Sequence, residues 1–292
     1  MLELRRTFLN DIIFKIVFGS PQNEALLRSL LNAVLGLSGE EEIVELTLLG
    51  RDITKAYLAE KGAILDVRAR DGLGRQYNIE VQLREQPAYI ERSLFYLSKL
   101  YSEQIERGGD YTQLTRTVAI SILDFTLFPQ VQSLHTRFRF REPEHGLELS
   151  DILEIHYIEL SKFRRDQPLV TLLEKWLHAL KFAEYYGVGL EELPESIQAE
   201  EEIVMAFDAM NNAYATDDVR ELIEGRLRAE WDENTRLKHA LTKGEAIGLA
   251  KGEAVGLAKG KATTNAENAR KMADRGIDAE TIFEVTGIRI DA

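Results

Sequence analysis

The chain has 292 residues, 45% hydrophobic and 29% charged, with a formal net charge of −13, a composition that builds one large or two small soluble domains. It contains no cysteine, which excludes disulfides, thiolate metal sites and cysteine nucleophiles. The acidic balance excludes indiscriminate attraction to nucleic acid, so such a contact needs a local basic patch and neutralised carboxylates.

Thr7–Gly19 has helical spacing, with Asp11 and Lys15 as an i, i+4 pair suited to a modest surface ion pair. The same two charges interrupt the apolar core that a signal peptide would need after Arg5 and Arg6. No apolar run approaches the roughly 18 residues of a membrane span. A cytoplasmic location and no membrane partner are therefore expected. Asn23–Leu35 is a second helix, closed by Gly36. Leu46–Leu49 can start a strand, and Ala56–Lys61 leads into the stretch around which the chain is organised.

That stretch, Ala63 to Leu83, is a predicted β-hairpin. Ala63–Arg70 and Arg75–Leu83 are strand-like, and Asp71-Gly72-Leu73-Gly74 is a turn signal. Alternation places Leu65, Val67, Tyr77, Ile79, Val81 and Leu83 on one face, and Asp66, Arg68, Asn78, Glu80 and Gln82 on the other. A hairpin symmetric about Leu73 sets Asp66 opposite Glu80, with their Cβ atoms roughly 5 Å apart. Like charges so placed are destabilising, and a divalent cation is the simplest offset. An Asp and a Glu on a solvated sheet face are also ordinary, so both readings stand on the pattern alone.

Beyond Pro87, Tyr89–Arg107 is a long helix stopped by Gly108-Gly109. Its aromatics Tyr89, Phe95, Tyr96 and Tyr101 are expected in the core rather than as base-stacking platforms. Thr115–Phe125 is a predicted buried strand. Thr136–Arg141 alternates, with Arg137, Arg139 and Arg141 on one face, and Ile152–Leu160 is a further strand. These elements make an α/β or α+β core of about 165 residues. From Pro168 strands give way to helices at Leu169–Tyr186, Ala199–Thr216 and Asp217–Lys243. The histidines His135, His145, His156, His178 and His239 show no close ligand spacing, and most are expected at surfaces or interfaces.

From Lys243 an octad repeats: KGEAIGLA, KGEAVGLA, then KGKA. Each glycine costs about 1 kcal/mol in a helix interior, yet small residues at spacing four also let two helices approach closely. A mobile linker and a partner-packed helix both fit. Ala266–Ile290 is a helix broken at Gly276 and resumed at Asp278, with Thr286-Gly287 near its end. The expected divisions are 1–165, a helical region 166–242, the octads 243–265 and a helical tail 266–292.

Four groups of residues carry a resemblance. They are Asn10-Asp11, Phe14-Lys15 and Phe18-Gly19; Asp66 with Glu80-Val81-Gln82; Glu91-Arg92 through Tyr96 to Tyr101, then Gly108 and Tyr111; and the octads with Thr286-Gly287. In these the chain resembles the Rpn family of recombination-promoting nucleases, putative transposases of the PD-(D/E)XK nuclease superfamily. The resemblance implies an α/β, restriction-endonuclease-like core, with a mixed central sheet flanked by helices and a helical C-terminal region. It implies a metal-dependent endonuclease acting on DNA phosphodiesters, with Mg²⁺ or another divalent cation as cofactor. Asp66 and Glu80 would be metal ligands, with the Val81 carbonyl a third, and Gln82 would position the attacking water where the superfamily has lysine. Asp11 would add a carboxylate, and Lys15 and Arg68 would face the substrate. The alternatives are a catalytically weak DNA-binding or assembly module and a transposase-related protein, with self-association through the repeats.

Overall fold

The computed structural model describes residues 5–50, 66–187 and 189–290. The expected run Ala56–Lys61, and the hairpin through Leu65, lie outside the described residues. The chain divides into two compact units, Met1–Gly225 and Arg226–Ala292.

The first unit is built on a six-stranded mixed sheet in the order β1-β2-β3-β4-β6-β5. Its strands are β1 (Leu46–Leu49), β2 (Val67–Asp71), β3 (Gln76–Gln82), β4 (Thr117–Leu123), β5 (His135–Arg141) and β6 (Glu148–Glu159). The β1–β2, β2–β3 and β5–β6 pairs are antiparallel, whereas β3, β4 and β6 are mutually parallel. A parallel step needs a crossover, and helix α3 (Tyr89–Ser102) supplies it between β3 and β4. Every residue of β4 is buried, as a parallel strand covered on both faces must be.

Helix α1 (Asp11–Gly19) is capped by Asn10, whose side chain accepts from the Ile12 and Ile13 amides and so satisfies two of the helix's otherwise unpaired N–H groups. It buries Ile12, Ile13, Phe14, Val17 and Phe18, the all-round apolar pattern of a core helix. Helix α2 (Glu24–Leu35) ends on Gly36 at φ 68°, a left-handed cap that a side chain would strain. Buried Asn32 then exchanges two hydrogen bonds with the Ile43 backbone, at 2.9 and 3.1 Å, which steers the chain into β1.

Helices α4 (Leu172–Phe182), α5 (Glu195–Gln198) and α6 (Glu201–Ala215) join α1 and α2 in one core. Trp176, Phe207 and Phe18 meet there with Val67, Tyr77, Ile79, Val118 and Ile120 from the sheet. Helices α4, α5 and α6 therefore share one core with the N-terminal helices. A smaller cluster of Tyr89, Leu97, Ala119, Leu123, Ile155 and Tyr157 lies on the other sheet face, beneath α3.

Two expectations change in this unit. Phe95 and Tyr96 are 64% and 42% exposed, because α3 buries only the stripe of Tyr89, Ser93, Leu97 and Leu100. Leu83 lies beyond the end of β3 and is exposed. Of the five histidines, His156 and His178 are core residues, held by hydrogen bonds to Glu154 and Tyr186; the other three are not buried, as expected of most.

The octads are helical. Helix α7 runs Asp217–Asp274 and includes them. Within the second unit, α8 (Ala279–Thr286) starts at the Asp278 cap and ends on Gly287 in the left-handed region. It follows a turn at Gly276, φ 78°. Buried Ala269 and Ile282, and a 2.9 Å bond from Asn265 Nδ2 to the Thr286 carbonyl, tie the hairpin together. Among the described residues no helix is long and apolar enough to cross a membrane.

Candidate active site

The hairpin that presents the carboxylates is fixed at its turn. Asp71 is buried, and its Oδ1 accepts from the Leu73 and Arg75 amides at 3.0 and 2.9 Å. Its Oδ2 accepts from the Tyr77 hydroxyl at 2.8 Å and the Arg75 guanidinium at 2.5 Å. Burial and the Asp71 hydrogen bond push the Tyr77 phenol well above its ordinary pKa, so it stays a donor. Gly74 takes φ 81°, a conformation that glycine adopts without strain.

The register pairs Val67 with Ile79, Arg68 with Asn78 and Arg70 with Gln76. One step further along the same register sets Asp66 against Glu80. Val67, Ala69, Tyr77 and Ile79 turn to the main core, so the alternation gives Asp66, Arg68, Asn78, Glu80 and Gln82 the opposite face, the one α3 covers.

Each carboxylate has one oxygen engaged by the protein. Asp66 Oδ2 accepts from Arg68 Nε at 3.3 Å, while Asp66 Oδ1 is buried with no hydrogen-bond partner. Glu80 Oε1 accepts from the Tyr89 hydroxyl at 2.5 Å and the Ser121 hydroxyl at 3.3 Å. Burial, then the Glu80 charge and hydrogen bond, hold the Tyr89 phenol far above its ordinary value. A buried acceptor without a donor is costly unless a cation or water meets it. A hard divalent cation prefers such oxygen ligands, so the donors present suit that class of group.

Lys15 is not at the surface, where the i, i+4 spacing placed it. It is buried, and its ammonium donates to the Asp66 main-chain carbonyl at 2.6 Å. Desolvation lowers its pKa against the pull of Asp66, with Arg68 adding to the lowering. It pins the backbone of a proposed ligand. Asp11 lies one turn earlier on α1, in its first turn, with Oδ1 accepting from the Ile12 amide at 2.8 Å. Residues four apart share a helix face, so Asp11 is on the side of α1 that addresses Asp66. Val81 packs its side chain against the main core, leaving the carbonyl as its only ligand group.

Three side chains from outside the hairpin complete the face, and their roles were not readable in the sequence. Tyr89 and Ser121 hold Glu80. Arg92, one turn after Tyr89, donates from Nη2 to Gln82 Oε1 at 3.2 Å and from Nη1 to Gln86, and its guanidinium lies 5.0 Å from the Tyr89 ring centroid. Arg92 Nε is buried without a partner, as is Asn78 Oδ1. Gln82 Nε2 donates to the Arg84 carbonyl at 3.1 Å, so both ends of the amide are held. Glutamine brings no positive charge, and Arg92 sets one against it.

Among the described residues, the one set of three His, Asp or Glu side chains at mutual ligand distance is Glu142, Glu144 and His145, in the β5–β6 turn. Glu142 there accepts from the Glu144 and His145 amides, which accounts for the cluster as turn structure.

The sequence model of a family described as PD-(D/E)XK nuclease family transposase matches residues 8–240. The chain belongs to that family. No curated protein and no solved structure matches the chain. The match spans the mixed sheet and its flanking helices, and the fold is the PD-(D/E)XK α/β fold. Membership in this family of nucleases and transposases supports a nuclease- or transposase-related function.

Proposed function

We propose that this PD-(D/E)XK family member is a metal-dependent DNA endonuclease, with DNA recombination as its setting and the cytoplasm as its location. The observation that carries this reading is the β2–β3 register, which continued one step past Val67 and Ile79 brings Asp66 opposite Glu80, together with an Asp66 Oδ1 that is buried and unpartnered. Asp66, Glu80 and the Val81 carbonyl would hold the cation, Mg²⁺ or a similar hard ion, and Asp11 would add a carboxylate from α1. Bound there, such a cation supplies neutralisation of the phosphodiester's charge and activation of water.

The chain's own groups do the rest. Tyr89 and Ser121 fix the Glu80 carboxylate, and Lys15 fixes the Asp66 backbone. Gln82, oriented by Arg92 and the Arg84 carbonyl, positions the water. The Arg92 guanidinium provides charge for the phosphate oxygens as negative charge builds there.

Mg²⁺-dependent nicking of supercoiled plasmid by the full chain tests this reading. Nicking that disappears with EDTA and in Glu80→Gln is the expected result. DNA binding without nicking would instead support the weakly catalytic binding module.

A further inference from the structure

Beside the proposed ligands lies a cavity of about 540 Å³. Its walls come from the β1–β3 end of the sheet, the last turn of α3 and the segment that follows. Arg68, Arg70, Gln76, Glu103, Gln104 and Gln113 give it a polar lining. Gln104 is a braced wall: its amide nitrogen donates to Thr117 Oγ1 at 2.6 Å and the Thr115 carbonyl at 3.2 Å, and its oxygen accepts from the Thr115 amide at 2.8 Å.

Arg68 belongs to both places. Its Nε meets Asp66 Oδ2 at 3.3 Å, and its Nη1 meets Glu103 Oε2 at 3.4 Å. Alternation puts Asp66, Arg68 and Arg70 on one side of β2, each about 6.7 Å from the next. An acid followed by two guanidiniums in a row is an unusual line in a chain of net charge −13. Guanidinium is the side chain suited to bidentate recognition of phosphate. The competing anion already present is Glu103, which also pairs with Lys99 Nζ at 3.7 Å. Glu103 therefore sits where a phosphate oxygen would, bridging Arg68 and Lys99.

We propose that this cavity is a second phosphate subsite. Resting on the nuclease reading, it would hold backbone phosphates of the DNA strand next to the bond being cut. Arg70 and Arg68 would grip them, and Glu103 would be displaced from Arg68 as the strand enters.

The test is fluorescence anisotropy with a labelled duplex oligonucleotide in EDTA, using the full chain at several salt concentrations, with competition by inorganic phosphate. Arg70 is exposed, so Arg70→Ala should melt like wild type. Its binding should weaken several-fold, and the slope of log K against log salt should shrink by about 1. Glu103→Gln, which removes the competing charge, should bind DNA more tightly than wild type.

If wild type binds and nicks DNA while both variants bind it as wild type does, the subsite is overturned and the nuclease reading survives. If Arg70→Ala loses only its competition by inorganic phosphate and keeps its DNA affinity, the cavity is a free-anion site and the proposal fails. If wild type neither binds nor nicks DNA, the parent reading falls and takes the subsite with it.

Discussion

Glu80 is tied to the fold as well as to the proposed chemistry, and that decides how it should be tested. Its Oε1 is the acceptor for the buried Tyr89 hydroxyl. Glu80→Ala removes the carboxylate and also orphans that donor, a loss of about 1–3 kcal/mol. Relief of repulsion with Asp66 works in the other direction, but Arg68 already shields Asp66, so net destabilisation is expected. Glu80→Gln keeps an acceptor for Tyr89 and should melt near wild type while losing nicking. Asp66→Asn should behave likewise, since Lys15 holds that residue by its backbone carbonyl. Wild-type nicking rates in well-folded Glu80→Gln would remove Glu80 from the ligand set. The β2–β3 register, Val67 against Ile79 and Arg68 against Asn78, was legible because hairpin register follows from turn position and two-residue alternation. The parts played by Tyr89 and Arg92 were not, because they depend on how α3 docks across the sheet, which no local pattern encodes.

Element type was legible wherever period and punctuation agreed, and tertiary context set the rest. The fully buried β4 was anticipated from β-branched density; β5 forms as a strand, but its burial does not alternate and its register shifts between Phe138 and Phe140. The exposure of Phe95 and Tyr96 was not, because α3 packs on the sheet along a single stripe. The octads were ambiguous because glycine opposes a helix while the residues between, mainly Ala, Leu, Glu and Lys, are strong helix formers. In the structure the formers win over the whole of Asp217–Asp274. At Gly244, Gly248, Gly252, Gly256 and Gly260 an added Cβ would meet nothing within 4 Å, so none is required by a close approach inside the chain. Replacing Gly248 and Gly252 with alanine should therefore stabilise the helix by about 1 kcal/mol at each site, visible as greater helicity by circular dichroism during thermal melting. If the glycines instead let two copies pack closely, the same double variant will lower the molecular mass by light scattering. Unchanged helicity would refute the intrachain account.

At the scale of the molecule, acid stability and the division of labour both follow from where charge is buried. Glu154 is buried among Arg116, Arg139 and His156. Burial alone would raise its pKa, but the hydrogen bond and charge of His156, with Arg139 and Arg116, hold it at about 2. His135 is pushed down to about 4 by burial and by the charges of His156 and Arg137, against the pull of Glu154. Both folded values lie below the ordinary 4.5 and 6.5, so the unfolded chain binds more protons at low pH. Stability should fall as pH drops from about 6.5 to 4 through His135, and further from about 4.5 to 2 through Glu154. Melting temperatures across that range check the sign, and a rise on acidification would contradict it. The second assignment concerns the region after Thr242. All proposed ligands precede residue 83, and the unit that carries them ends at Gly225. The octads expose Ile247, Leu249, Val255 and Leu257 at 47%, 67%, 54% and 64%, apolar surface that a single chain leaves wet. Each octad turns its successor by about 80° around a helix of 3.6 residues per turn, so a straight contact stripe is not available. A short crossing contact between two tails is. A chain ending at Thr242 should keep plasmid nicking at close to the full-length rate and should scatter light as a smaller species. If that chain retains the full-length mass and loses all cleavage, the tail serves the chemistry rather than assembly.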